Sequence, residues 1–208
     1  MPTRISALDA SVRALGAEMG EWNDMAVAFG FPNDPHLEHD AIRETLGLWD
    51  TSALTKIQLR GPDALAAVDY LVTRDMTRIG VGQSAYCPIL KDDGHFCDDA
   101  IIFHVAENHF LVASAIGPTH QLLQDYAHNR NLSVELDEAL HIITLQGPSS
   151  IELLDTLTDA ELRSLPFSHQ FLTKLCGRHM MVSRTGYSGE RGYELFMDAG
   201  VVVDVWSN

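Results

Sequence analysis

Residues 184–196 read RTGYSGERGYELF: two Gly-Tyr pairs and two glutamates set among three glycines, with an apolar exit. A plain hairpin turn needs one or two glycines and no paired aromatics. Glycine admits positive φ and lets a ligand approach the backbone closely. Tyr187 and Tyr193 offer flat stacking faces with a polar tip. Glu194 is the odd residue, because it interrupts an apolar strand and should be partly buried. A buried carboxylate is costly unless donors meet it. A heterocycle with adjacent N–H and amino donors, such as a pterin, would meet it in a bidentate way. A solvent-facing glutamate on an edge strand is the alternative reading.

Outward from this stretch, the composition sets limits. The 208 residues are 46% apolar, enough to bury a sizeable core, and no apolar run approaches the length of a membrane span. The N-terminus MPTRISALDASVRALG has no continuous apolar segment of the secretory kind. Cys87, Cys97 and Cys176 are odd in number and lack metal-like spacing, which points to reduced thiols and a cytoplasmic address. A net charge of −15 argues against a nucleic-acid partner, which would need a basic surface.

Periodicity organises the rest. Ile5, Leu8, Val12, Leu15 and Met19 recur at helical spacing, so the first 20 residues read as helix. GEWNDMAVAFGFPNDP breaks the pattern and reads as a structured loop, and residues 36–47 read as a short helix ended by Gly47. Strands follow at 55–59 and 84–90, with Asp63 placed to cap a helix between them. KDDGHF is a turn, and CDDAIIFHV with NHFLVASA forms a hairpin across 106–108. Helices are expected at 118–129 and 148–157, strands at NLSVEL and LHIITLQG, and two more strands in MMVSRTGYSGERGYELFM. This is an α+β pattern with largely antiparallel sheets. GVVVDVWSN starts an amphipathic helix, which reads as the N-terminal part of something longer.

Three other constellations carry possible chemistry. Cys97-Asp98-Asp99 opens an apolar strand, where neighbours point to opposite faces, so only one aspartate can look inward. That carboxylate could bind an amine or accept a proton; an acid-rich hairpin turn is the alternative. His36 and His39 share a helical face at metal-compatible spacing, but no third ligand follows, and surface histidines are the simpler reading. Cys87 and Cys97 sit in apolar strands that raise a thiol's pKa, and read as small core residues.

In order, LGLWDTSAL, QLRGPDA, SAYCPIL, DDGHFCDDAIIF, LQGP and SRTGYSGERGYELF resemble the aminomethyltransferase (glycine cleavage T-protein) family. That family includes tetrahydrofolate-dependent demethylases and the folate domains of sarcosine and dimethylglycine dehydrogenases. The similarity is collinear over nearly the whole chain, and the closing motif is its most specific part. The resemblance implies a ring-like fold around a folate pocket, with ferredoxin-like halves and a C-terminal barrel that is absent here. It implies N-terminal helices and a loop over residues 1–47, packed on a folate-binding domain over 48–208 that stops short of its C-terminal end.

By motif position, the resemblance makes Asp99 the central catalytic acid beside the folate N5. It makes Leu54, Tyr86, Ile101, Tyr187 and Glu194, with Asp99, the tetrahydrofolate contacts, Glu194 holding the pterin's amino edge. The implied activity is transfer of a methyl or methylene group to tetrahydrofolate. The donor would be a small amine, another methylated molecule or a lipoyl carrier protein. A non-catalytic folate-binding accessory protein and an inactive fragment are the alternatives. Three departures separate this chain from glycine-cleavage enzymes: Ala53 replaces a histidine, Ala113 stands where an asparagine is usual, and GEWNDMAVAF keeps Trp22 and Met25 but not a proline.

Overall fold

The structure, a computed structural model, describes residues 2–208. In chain order the elements are β1 (Arg4–Ile5), α1 (Asp9–Ala14), β2 (Glu18–Trp22), β3 (Met25–Gly30), α2 (Pro35–Glu44), β4 (Gly47–Asp50), β5 (Thr55–Arg60), α3 (Ala64–Leu71) and β6 (Ser84–Leu90). They continue as β7 (Phe96–Ala106), β8 (His109–Ser114), α4 (Thr119–Ala127), β9 (Ser133–Leu136), β10 (Leu140–Gln146), α5 (Ser150–Asp155), β11 (Gln170–Leu175), β12 (Arg178–Ser183), β13 (Gly192–Asp198) and α6 (Ala199–Trp206). The architecture is mixed α+β, and apart from one parallel pair, β1 with β3, its strands pair antiparallel.

The chain divides into two compact units: residues up to Ala53 together with Ala139–Asn208, and Leu54–Glu138. The first unit holds a three-stranded sheet, β1-β3-β2, and a five-stranded sheet, β11-β12-β13-β10-β4. Alternation along the five strands separates two faces. Ile143, Leu145, Val182, Tyr193 and Leu195 pack on one face with Ile151 and Leu154 of α5 and Val202 and Val205 of α6. Burying each such side chain is worth about 1.5–3 kcal/mol before entropy is counted, so this face holds the unit together. On the opposite face Ile142, Phe196 and Met181 form an apolar cross-strand row, and Thr144, Glu194 and Ser183 form the polar row beside it, where the candidate site lies.

The second unit is one sheet, β6-β7-β8-β5-β9, with α3 and α4. Ile57, Leu59, Cys87, Ile89, Ala100, Ile102, Phe110 and Val112 alternate onto the core face and meet Ala67 and Val68 of α3 and Leu123 of α4. The hairpin from β7 to β8 turns through Asn108, a left-handed residue with φ of 56°.

Several sequence-based expectations need correction. Only residues 9–14 of the first twenty are helical, because Gly16 at φ 83° turns the chain left-handed and ends α1. Of the expected stripe only Leu8 and Val12 are buried; Ile5 is 68% exposed on β1, and Met19 lies in β2. The expected loop at 20–35 is a hairpin of β2 and β3, in which Trp22 pairs with Met25 across Asn23 and Asp24. The helix near 36–47 begins one residue earlier, with Asp34 accepting from the His36 amide at 2.9 Å, and stops at Glu44. Gly47 does not end it but opens β4, a strand that periodicity alone did not reveal. Asp63 is the N-cap residue of α3, but its side chain makes no capping bond; its carboxylate accepts from the Asn131 amide at 2.7 Å. β11 is a further strand that the sequence reading does not include, although Gly177, at φ 71°, marks its turn into β12. α4 begins just after Pro118, and α5 is shorter than expected at both ends.

Candidate functional site

In the first unit, cross-strand register builds a row of side chains over five strands: Trp49, Thr144, Glu194, Ser183 and Gln170. Thr144 and Ser183 are fully buried, and Glu194 is 3% exposed. No lysine or arginine belongs to the row, so the carboxylate is surrounded by neutral groups. Thr185 Oγ1 donates to Glu194 Oε2, and Ser183 Oγ lies 3.0 Å from Thr185 Oγ1. Burial pushes the Glu194 carboxyl above its ordinary value, and the Thr185 hydrogen bond opposes that shift only in part.

Gln146 explains the glycines of the 184–196 stretch. Its carboxamide is fully buried, donates to Thr185 O at 3.1 Å and accepts from Ser188 Oγ at 2.8 Å. A Cβ on Gly186 would come within 2.2 Å of Gln146 Oε1, and one on Gly192 within 2.2 Å of its Cδ. A Cβ at either glycine would thus collide with the same glutamine carboxamide, and Gly186 also has a φ of 157°, which an L side chain rarely adopts. Glu190 pairs with Arg43 of α2 at 2.9 Å and ties the loop to that helix. Gln146, Thr185 and Trp49 were not foreseen as site residues. The signal for Gln146 was present in LHIITLQG, where polar Thr144 and Gln146 alternate with apolar Ile143 and Leu145.

Tyr187 is 71% exposed and accepts a hydrogen bond from Trp49 Nε1 at 2.9 Å, with the two rings edge-to-face at 6.0 Å. Tyr193 is not a stacking face. It is fully buried in the apolar core, where its hydroxyl receives Arg191 Nη2 at 2.9 Å. The Asp50-Thr51-Ser52-Ala53 run is structural: Asp50 accepts from Ser6 Oγ at 2.5 Å and from the Ser52 amide at 2.8 Å. Ala53, in the histidine's place, is buried, and its carbonyl accepts from Asn23 Nδ2 at 2.6 Å.

In the second unit, Tyr86, Ile101, Ala113 and Lys56 stand in one cross-strand row on the face opposite the core. Tyr86 is 56% exposed, and its hydroxyl donates to Asp99 Oδ2 at 2.9 Å. That bond, more than burial, raises the Tyr86 phenol above its ordinary value, because ionising it beside a carboxylate is disfavoured. Asp99 and Ile101 are half-buried, and Leu54 is half-buried just before β5. Of the acid pair, Asp98 is the buried member at 3% exposure, while Asp99 shares Tyr86's face. Cys87 is buried and its thiol is pushed up by burial; Cys97 Sγ lies 3.4 Å from Ile89 O. His36 and His39 are exposed or nearly so on α2, and His39 meets Asp40 at 3.1 Å. Among the described residues no group of three His, Cys, Asp or Glu could hold a metal, and no helix is long and apolar enough to cross a membrane.

Comparison with known proteins gives a family match described as the GCVT N-terminal domain, over residues 8–208. The heme-dependent oxidative N-demethylase gamma subunit of Ectopseudomonas mendocina is 40% identical over 98% of this chain and 54% of its own length. The aminomethyltransferase of Streptomyces avermitilis is 35% identical over 98% of this chain and 55% of its own. In structure, the glycine cleavage system aminomethyltransferase T of Bartonella henselae superposes with a TM-score of 0.87 at 24% identity, over 98% of this chain and 56% of that one. The chain thus has the aminomethyltransferase fold and spans about half the length of the curated relatives it matches.

Proposed function

The chain belongs to the GCVT N-terminal domain family, and from that premise we propose that it binds tetrahydrofolate and serves transfer of a one-carbon unit to it. The observation that carries the reading is Glu194: a carboxylate buried among hydroxyls and a carboxamide, with no cation beside it. A group so placed is costly in the empty protein and becomes favourable when a ligand brings N–H donors. A pterin's amino edge has that chemistry, and Tyr187, hydrogen-bonded by Trp49, supplies an exposed aromatic face beside the same strand system. Tyr86, Asp99, Ile101 and Leu54 are proposed as further tetrahydrofolate contacts.

Bound tetrahydrofolate supplies the nucleophilic nitrogen. The chain's own part is to position reactants and handle a proton. Asp99 is the proton acceptor in this reading, and the Tyr86 hydroxyl fixes its orientation by donating to Oδ2. Residues 48–208 act as the folate-binding domain, with 1–47 as its N-terminal support.

For the donor, an N-methylated small amine is favoured over an aminomethyl-loaded lipoyl carrier. Ala53 and Ala113 remove two polar side chains that the glycine-cleavage pattern carries, and identity to the N-demethylase subunit exceeds that to the S. avermitilis aminomethyltransferase.

Titration of the chain with tetrahydrofolate, followed by tryptophan fluorescence, tests the binding. Saturable quenching is expected, weakened tenfold or more in Glu194→Gln. Absence of saturable binding by the unmodified chain would overturn the proposal. Product analysis with Asp99→Asn then separates roles: folate binding is retained while one-carbon transfer is lost.

A further inference from the structure

Asp98, the neighbour of the proposed acid, is absorbed into the fold in a way that bears on Asp99. Pairing of β7 with β8 ends at Ala100 and Ser114, with one further bond from the Ala115 N–H to the Asp99 carbonyl at 3.4 Å, so the Asp99 amide lies one residue beyond the last rung. Its N–H donates instead to Asp98 Oδ1, at 2.9 Å. The second oxygen, Oδ2, accepts from Thr119 Oγ1 at the first residue of α4. Both oxygens of one carboxylate, 3% exposed, are thus used to tie β7 to the start of the helix. The intervening loop closes over it so tightly that a Cβ on Gly117 would sit 2.3 Å from both Asp98 Cβ and Cγ. Gly117 does not have a positive φ, so what excludes alanine there is this contact and not the backbone conformation.

We infer that Asp98 is the positioning residue for Asp99: by replacing the missing ladder bond at the Asp99 amide and anchoring to Thr119, it holds the Asp99 carboxylate in hydrogen-bond reach of Tyr86. A buried carboxylate with two donors is a firm anchor, because removing it leaves a part-buried amide and a buried hydroxyl without that acceptor. Its consequence for catalysis rests on the folate reading of Asp99; the geometry itself does not.

The test uses the Tyr86 phenol as a reporter of the Asp99 contact. Cys87, next along β6, also titrates, and the chain has five tyrosines, so Tyr86 is followed through its own ¹³Cζ signal in NMR titrations. Asp99→Asn sets the reference for a lost contact: the Tyr86 midpoint falls toward the ordinary tyrosine value of about 10. Asp98→Ala is expected to give the same fall although Asp99 is intact. Thr119→Val, which removes one donor and little volume, shifts it in the same direction, and Thr119→Ser restores it. Gly117→Ala, which drives a methyl against Asp98, shifts it in the same direction.

A wild-type Tyr86 midpoint in folded Asp98→Ala, or in Thr119→Val should the former not fold, would overturn the inference. A merely structural role would lower the melting temperature and leave Tyr86 unchanged. If the intact chain fails to bind tetrahydrofolate, the functional reading falls while the Tyr86 titration still decides the role of Asp98.

Discussion

Glu194 is a carboxylate held where charge is expensive, and its protonation couples to stability in a direction that can be worked out. Burial raises its folded-state pKa above the unfolded value of about 4.3, so in the window between the two the native state binds more protons than the unfolded state. Stability is then fully retained below the unfolded pKa and is lost as pH rises through the folded one. Glu194→Gln removes the charge while keeping an oxygen to accept from Thr185. The variant is expected to melt higher than wild type at pH 7.5, by about 2–4 °C for each 1 kcal/mol relieved. The gap should close as pH is lowered to about 4. Thermal melts across that range decide it; a gap independent of pH would mean the carboxylate is not desolvated. A more stable but weaker-binding variant is the usual trade at a site whose polar group waits for a ligand.

The element that presents this site is the 184–191 connection, and its shape is set by Gln146 as much as by its own glycines. Gly186→Ala drives a methyl into the Gln146 carboxamide and should destabilise by about 1–3 kcal/mol, with faster hydrogen exchange at 185–191. Gln146→Ala opens the space, so adding Gly186→Ala to it should cost measurably less than in wild type; full additivity in denaturant unfolding would refute the coupling. The sequence announced an unusual connection here, because three glycines and a misplaced acid are local facts. It could not announce the partner, because Gln146 lies some forty residues upstream and only the β10–β13 register brings the two together. The same limit explains the rest. β6, β7, β8 and β10 were legible from alternation and turn residues. The N-terminal hairpin was not, because Ile5, Leu8, Val12, Leu15 and Met19 imitate helical spacing while Gly16 decides the outcome. That Asp98 is the buried member of the acid pair was not legible, because its partner Thr119 lies some twenty residues downstream at the start of α4.

At the scale of the whole molecule, the two units have separate cores, and the two boundaries fall at Ala53-Leu54 and Glu138-Ala139, where no linker composition marks them. What both units share is charge. Twenty-nine acids face fourteen lysines and arginines, so even with every base paired, a net charge of −15 is left. Two electrostatic effects compete when salt is added. Screening weakens exposed pairs such as Arg178–Asp204 at 2.7 Å and Arg13–Asp9 at 2.8 Å. Such exposed pairs contribute little to stability. Screening also relieves repulsion among the unpaired acids, which opposes compaction of the whole chain. The second effect should win at neutral pH. Raising potassium chloride from about 0.01 M to 0.5 M shortens the screening length from about 30 Å to a few ångströms, and the melting temperature should rise. Near the sequence isoelectric point of 4.8 the net repulsion is gone and only attractions remain to be screened. There the same salt step should leave the melting temperature unchanged or lower it. Chloride is the salt to use, since sulfate strengthens apolar burial on its own and would raise stability at either pH. A rise of equal size at both pH values would show that repulsion between the acids is not what salt relieves.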